Sequence, residues 1–106
     1  NFDGSFEYLN VIAVDLGIPE QYLLEQNYPN PFNPKTIITF KTPAEGQITL
    51  RVYDVLGNEV ATLLDEQKPA GSYDVELDAS QLTSGIYFYK LTSGTFNSTR
   101  KMILLK

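Results

Sequence analysis

Three carboxylates alternate along one short segment and are the most obvious candidates for chemistry in this sequence. Asp74, Glu76 and Asp78 are each separated by one apolar residue. Such a trio could serve in acid–base catalysis or bind calcium, because both need carboxylate oxygens close together. Alternate residues of a strand share one face, however, and the segment lacks the aspartate-and-glycine loop of an EF-hand. We therefore interpret the trio as the solvated face of a strand and expect no metal site.

The composition excludes most other catalytic machinery. The 106 residues include no cysteine and no histidine, which excludes disulfides, zinc ligands of either type, and Ser-His-Asp or Cys-His nucleophiles. The glycines stand singly, so no phosphate-binding loop is present. Asn97-Ser98-Thr99 fits the glycosylation sequon, but that tripeptide is common by chance. We expect that the chain is not an enzyme and that it needs no cofactor.

The charge of the chain argues against some partners. A net charge of -5 disfavours binding to nucleic acid or to anionic lipid. The charged side chains of residues 1–34 are all acidic, whereas those of residues 90–106 are all basic. On charge alone we favour an edge strand with lysines that discourage pairing over a tail displayed for an acidic partner. No apolar stretch is long enough to span a membrane, and without an initiating Met or a signal pattern we expect a piece of a longer protein.

Strand signals dominate from residue 35 onward. β-Branched and aromatic residues alternate with polar ones in short runs bounded by turn residues. No run has a helical period. A chain of this length supports a single compact core, so the pattern predicts an all-β fold: an antiparallel immunoglobulin-like or fibronectin-like β-sandwich of about seven strands. The runs that we assign to strands are residues 35–41, 47–54, 59–64, 72–77, 86–92 and 95–105.

Two local motifs support this fold. Asp54 and Gly57 lie in a short loop, where the Asp54 carboxylate can accept a backbone N–H and Gly57 can adopt positive φ. Leu82, Gly85 and Tyr87 have the L-x-x-G-x-Y spacing of a tyrosine corner, in which the tyrosine hydroxyl bonds back to the preceding connection. We therefore expect Tyr87 to be structural and not to stack on a ligand.

The N-terminal third has a different pattern. Residues 2–14 alternate enough to form one or two strands, residues 17–27 are interpreted as a spacer, and residues 28–34 read YPNPFNP. Prolines fix φ and favour extended neighbours, so we interpret the last segment as a rigid entry whose Tyr28 and Phe32 cap the edge of the core. A polyproline ligand is the alternative, which the lack of basic flanks disfavours.

These segments together resemble a known protein family. The motifs appear in order as YPNPFNP at 28–34, VYDVLGNEV at 52–60, AGSY at 70–73, LTSGIYFY at 82–89 and KMILLK at 101–106. The series is similar to the type A C-terminal sorting domain of the type IX (Por) secretion system. The resemblance covers about residues 22–106, which leaves residues 1–21 as the end of a preceding cargo domain and a linker.

The resemblance implies a targeting function. Domains of this family follow a cargo protein that crosses the outer membrane of Bacteroidetes to the cell surface or the extracellular space. The translocon recognises them, and a surface sortase removes them; here the cut is expected before Tyr28, around residues 17–26. The resemblance assigns the sorting signal to Lys101, Met102, Leu104 and Lys106. It assigns structural motif positions to Asn30, Pro31, Asp54, Gly57, Gly71, Gly85 and Tyr87.

Two expectations concern strand edges. Because unpaired edges invite strand addition, we expect residues 6–14 to join an edge of this sandwich or of a second copy. We also expect the last strand to offer its backbone edge and terminal carboxylate, together with Lys101 and Lys106, to a partner that combines strand pairing with charge.

An accessory carbohydrate-binding or spacer sandwich beside an enzyme is the alternative function. Aromatic rings can stack on sugars, and the chain contains 7 Tyr. It contains no Trp, which weakens this alternative.

Overall fold

The computed structural model describes residues 19–106. The strand predicted within residues 2–14, and the docking predicted for residues 6–14, lie outside the described residues. Within residues 19–106 the fold is all-β, with no helix. The strands are β1 (Leu23–Leu24), β2 (Lys35–Thr42), β3 (Gly46–Tyr53), β4 (Glu59–Lys68), β5 (Gly71–Asp78), β6 (Gly85–Ser93) and β7 (Phe96–Leu104).

The strands form two antiparallel sheets that pack as a sandwich. One sheet has the order β1-β2-β5 and the other has the order β4-β3-β6-β7. The all-β antiparallel sandwich of seven strands is thus confirmed. Only β4 departs much from its predicted bounds, because its pairing with β3 continues to Gly46 opposite Lys68. The polar sequence of residues 65–68 gives no alternation that could have revealed this extension.

The core lies between the sheets and consists mainly of alternate residues from β2, β3, β6 and β7. Ile38 and Phe40 of β2 face it, and so do Ile48, Leu50, Val52, Tyr87, Tyr89, Leu91, Met102 and Leu104 from the four-stranded sheet. Burying one such side chain stabilises the fold by roughly 1.5–3 kcal/mol. In β2, β3 and β6 buried residues alternate with more exposed ones, as the side-chain period of a strand requires.

The carboxylate trio lies on the outer face of β5, as predicted. Asp74, Glu76 and Asp78 are exposed, while Leu77 between them is buried. The Thr39 hydroxyl on the neighbouring strand donates a hydrogen bond to Asp74. In the described part of the chain, no group of three or more acidic residues is placed to hold a metal ion.

The spacer predicted over residues 17–27 is wrong for its last part. Leu23–Leu24 form β1 and pair with Lys41 and Phe40 of β2. The Leu24 and Asn27 side chains are buried. A strand of two residues is too short to show a hydrophobic period, so its pairing depends on partners distant in the sequence.

The proline-rich segment meets the sandwich through Phe32 and not through the ring of Tyr28. Phe32 is buried, as predicted, but Tyr28 is 80% exposed, so the prediction that its ring caps the core is wrong. Tyr28 exchanges two backbone hydrogen bonds with Ile37. Paired residues of antiparallel strands share a face, and Ile37 faces outward, so the Tyr28 ring does too.

Candidate functional site

Strand β7 contains most of the residues assigned to the sorting signal, and it divides them between two faces. Met102 and Leu104 are 0% exposed; Met102 lies opposite Tyr87 of β6 and faces the core. Lys101 and, beyond the strand, Lys106 are exposed. The four residues therefore do not form one surface, since only the lysines are accessible in the folded domain.

The outer edge of β7 is covered by residues 22–32, which we call the clamp segment. Phe32 N–H donates to the Ile103 carbonyl at 3.0 Å, and Leu105 N–H donates to the Phe32 carbonyl at 2.9 Å. The Asn30 side-chain oxygen accepts the Ile103 N–H at 3.0 Å. Phe32 also forms a parallel bridge with Leu104. The clamp segment thus uses the backbone groups that an incoming strand would need.

The clamp segment also covers this edge of β7 nearer the N-terminal end of the strand. The Gln26 side chain donates to the Lys101 carbonyl at 2.7 Å, and Arg100 Nε donates to the Leu24 carbonyl at 2.6 Å. The expectation that this edge is open to a strand-pairing partner is therefore wrong for residues 101–105. The physical reason is that an unpaired edge is a liability, which this chain removes by pairing it with its own N-terminal segment.

A buried tyrosine anchors the clamp segment to the core. The Tyr89 hydroxyl accepts the Asn27 N–H at 2.8 Å and donates to the Glu25 carbonyl at 2.7 Å. Burial raises the pKa of Tyr89, while the Asn27 N–H and the Arg100 charge oppose the rise. The Asn27 side chain in turn donates to the Thr36 hydroxyl. Sequence analysis assigned no function to Tyr89, although a buried tyrosine hydroxyl usually finds a hydrogen-bond partner.

The Lys106 end of the chain rests on the connection between β5 and β6. Lys106 N–H donates to the Ser84 hydroxyl at 3.0 Å, and Lys106 Nζ donates to the Ser80 carbonyl at 2.7 Å. The pKa of Asp78 is lowered, first by hydrogen bonds from Ser80 and then by the charges of Lys35 and Lys106. Lys106 is therefore held close to the sandwich although its side chain is exposed.

The loop between β3 and β4 has the predicted turn chemistry. One Asp54 carboxylate oxygen accepts the N–H groups of Leu56 and Asn58, both at 2.9 Å. Gly57 has φ 87°, a conformation that L side chains rarely adopt. The turn leaves Val55 and Leu56 at its tip, 64% and 82% exposed.

The tyrosine corner is confirmed. The Tyr87 hydroxyl donates to the Thr83 carbonyl at 2.7 Å, which ties the start of β6 to the connection before it. Gly71 and Gly85 begin β5 and β6. The Tyr73 hydroxyl closes the turn at Gly71 with a hydrogen bond to the Pro69 carbonyl.

The family of this chain follows from its match to a known family model. The sequence matches the family model for the secretion system C-terminal sorting domain over residues 26–105. The chain belongs to this family. The domain is thus a type IX secretion C-terminal sorting domain, and the match runs from within the clamp segment to the residue after β7. A search of curated proteins finds no match.

Membership of this family implies what the domain is attached to and where it is exported. The family implies a cargo protein, a type IX machinery and export across the outer membrane toward the cell surface or the extracellular space. Among residues 19–106, no helix has the length and hydropathy of a membrane span. Of the motif residues, Asn30 and Pro31 lie in the clamp segment beside β7, whereas Gly71 lies in the other sheet.

Proposed function

We propose that this domain directs an N-terminal cargo protein through the type IX system, that the translocon recognises the folded sandwich, and that a surface sortase then cleaves it from the cargo. Membership of the sorting-domain family over residues 26–105 is the observation that carries the proposal. In this proposal residues 22–106 are the sorting domain and residues 1–21 are the end of the cargo and its linker. The domain itself has no catalytic role.

The four signal residues have two different tasks in this proposal. Lys101 and Lys106 are exposed and contact the translocon, where two positive charges favour an acidic partner. Met102 and Leu104 are fully buried and act by keeping β7 folded. A change at a buried position therefore lowers export through loss of folding, and a change at a lysine lowers export without it.

The cut between cargo and sorting domain is proposed to fall before the clamp segment. Proteases cleave exposed segments with few hydrogen bonds. Glu20 and Gln21 are exposed, whereas the clamp from Leu24 onward is bonded to both sheets. Of the range expected from the sequence, Glu20 and Gln21 fit this requirement best among the described residues.

The test is an export assay in a bacterium with a type IX system. The 106-residue chain is fused to a reporter carrying a periplasmic signal, and surface reporter is compared with that of an isogenic strain lacking the translocon. We expect export in the first strain only. Combined Lys101→Ala and Lys106→Ala should reduce export while thermal unfolding stays cooperative, and Lys68→Ala serves as the control. Equal export from both strains would reject the proposal.

One observation keeps the carbohydrate-binding alternative testable. The Tyr28 ring is 80% exposed and, among the tyrosines of residues 19–106, is the best placed to stack on a sugar. Pull-down with insoluble polysaccharides, with Tyr28→Ala as the control, tests it. Binding that disappears in Tyr28→Ala would favour the alternative.

A further inference from the structure

The closed edge of β7 restricts how the folded domain can be recognised. Four backbone groups on that edge are bonded to the clamp segment: the Lys101 carbonyl, both groups of Ile103 and the Leu105 N–H. A partner that adds a strand there would have to displace those bonds. A partner that binds the intact sandwich must instead contact side chains, so the exposed faces need to be compared.

The outer face of the four-stranded sheet is apolar near the Lys106 end. Ile86 of β6 pairs with Ile103 of β7, and Phe88 pairs with Lys101. On the other side, Phe88 pairs with Tyr53 of β3. Paired residues share a face, so aliphatic and aromatic side chains form adjacent rows there, with Lys101 beside them.

The turn between β3 and β4 projects from the same end of the sheet. Because Tyr53 is paired with Phe88, the residues that follow Tyr53 lie beside the start of β6. The turn carries Val55 and Leu56, and the Asp54 carboxylate fixes its backbone. The two apolar side chains are therefore presented on a preformed turn, which lowers the ordering cost of binding.

Exposed apolar residues are concentrated at this end. Of the large apolar side chains exposed within residues 19–106, Val55, Leu56, Ile86 and Leu105 lie here, and the other three lie on or beside the β1–β2 side. We call Val55, Leu56, Ile86, Ile103 and Leu105 the tip surface. Apolar side chains exposed together at one end of a sheet, with charges beside them, are typical of a protein–protein contact.

The charges around the tip surface define the chemistry of its partner. Lys101 and Lys106 lie beside it and are exposed. Acidic side chains lie on the β3–β4 side: Asp54 accepts two N–H groups of its own turn and keeps its charge, and Glu59 lies 3.6 Å from Arg51. The Lys106 charge also acts on Asp78. The exposed positive charge is therefore on the β7 side of the tip surface, where Lys101 is the main cation, and a complementary partner carries carboxylates opposite that side.

We propose that the tip surface is the face by which the sorting domain docks on a protein component of the translocon. That component has an apolar pocket, which receives Leu56 and Val55, and carboxylates at its rim, which face Lys101 and Lys106. This inference rests on the proposed function and adds the face, the anchor residues and the chemistry of the partner. Leu56 is the expected hot spot because it is the most exposed apolar side chain on a fixed turn.

The test compares two substitutions at equally exposed apolar residues in the reporter fusion. Leu56→Asp should lower export about tenfold or more, whereas Tyr28→Asp, on the other sheet, should leave it within about twofold. Both positions are exposed, so urea unfolding of both proteins should match that of the wild type. Equal export of the two variants, at equal stability, would overturn the tip surface as the docking face.

Site-specific crosslinking identifies what the surface touches. The photocrosslinker p-benzoylphenylalanine is placed at position 56, and at position 28 as the control. We expect an adduct with an outer-membrane protein at position 56 only, and only where the translocon is intact. An adduct of twice the domain's mass, with a dimer in ultracentrifugation that Leu56→Asp disperses, would instead assign the surface to a second copy and overturn the proposal.

The two proposals fail in different ways. If wild-type export does not depend on the translocon, the sorting function itself is refuted. If wild-type export depends on it and Leu56→Asp is exported normally, the sorting function stands and the tip surface is excluded.

Discussion

Replacing Tyr89 with phenylalanine tests the clamp most directly, because it removes one buried oxygen atom and no packing volume. That hydroxyl donates to the Glu25 carbonyl at 2.7 Å and accepts the Asn27 N–H at 2.8 Å. Each hydrogen bond contributes about 1 kcal/mol net, and a buried N–H left without a partner costs about 1–3 kcal/mol. Tyr89→Phe should therefore lower the free energy of unfolding by about 2–4 kcal/mol.

This loss is large for a domain of this size. Small domains have free energies of unfolding of about 5–15 kcal/mol, and for such domains about 1 kcal/mol shifts the midpoint by roughly 4–8 °C. Urea and thermal unfolding of the complete chain, followed by circular dichroism, measure the effect. Tyr53→Phe is the matched control, because Tyr53 faces outward from β3 and its hydroxyl bonds to no group in residues 19–106.

A local measurement distinguishes loss of the clamp from a general loss of stability. Amide exchange of Asn27 and Phe32 should become faster in Tyr89→Phe than the global destabilisation requires, while amides of β3 follow the global value. If Tyr89→Phe and Tyr53→Phe unfold at the same urea concentration, the hydroxyl does not anchor residues 22–32 and the reasoning is refuted.

Three further predictions use the same unfolding assay. Burial raises the pKa of Tyr89 above its ordinary 10.0, so the folded state holds this proton more tightly, and the resulting stability is present below pH 10 and is lost progressively above it. The difference in free energy of unfolding between wild type and Tyr89→Phe should therefore shrink from about pH 10 upward. A difference that stays constant with pH would contradict this prediction. Gly57→Ala, at φ 87°, should cost about 1–2 kcal/mol; Gly46→Ala, whose added Cβ meets its nearest atom at 3.6 Å, is the control, and equal losses would exclude backbone strain. Met102→Ala should cost about 2–5 kcal/mol and Lys101→Ala less than about 0.5 kcal/mol; similar values for both would mean that Met102 is not core.

The sandwich could be predicted from the sequence because its signals are local. Alternation in β3 and β6 identified the buried faces, since the side-chain period of a strand is two residues. The Asp54 turn and the Tyr87 corner each bond residues within four positions of one another. Such contacts depend on spacing alone, which a single sequence contains.

The clamp could not be predicted because its contacts are not local. Its hydrogen bonds join residues far apart in the sequence: Asn27 with Tyr89 is 62 positions apart and Arg100 with Leu24 is 76. Most of them link a side chain to a backbone group, so no hydrophobic period marks them. The exposure of Tyr28 follows from its backbone pairing with Ile37, which residue type alone does not reveal.

The clamp also decides which experiments can separate folding from recognition. Deleting the last residues removes Met102 and Leu104 from the core and removes the Ile103 and Leu105 groups that hold Phe32. Lost export after such a deletion would thus follow from unfolding as readily as from a missing signal. The exposed lysines and Leu56 lack this ambiguity, because their side chains lie outside the core. By the same argument a cut before Tyr22 leaves the released domain folded, whereas a cut inside residues 24–32 would open the edge of β7 to strand addition.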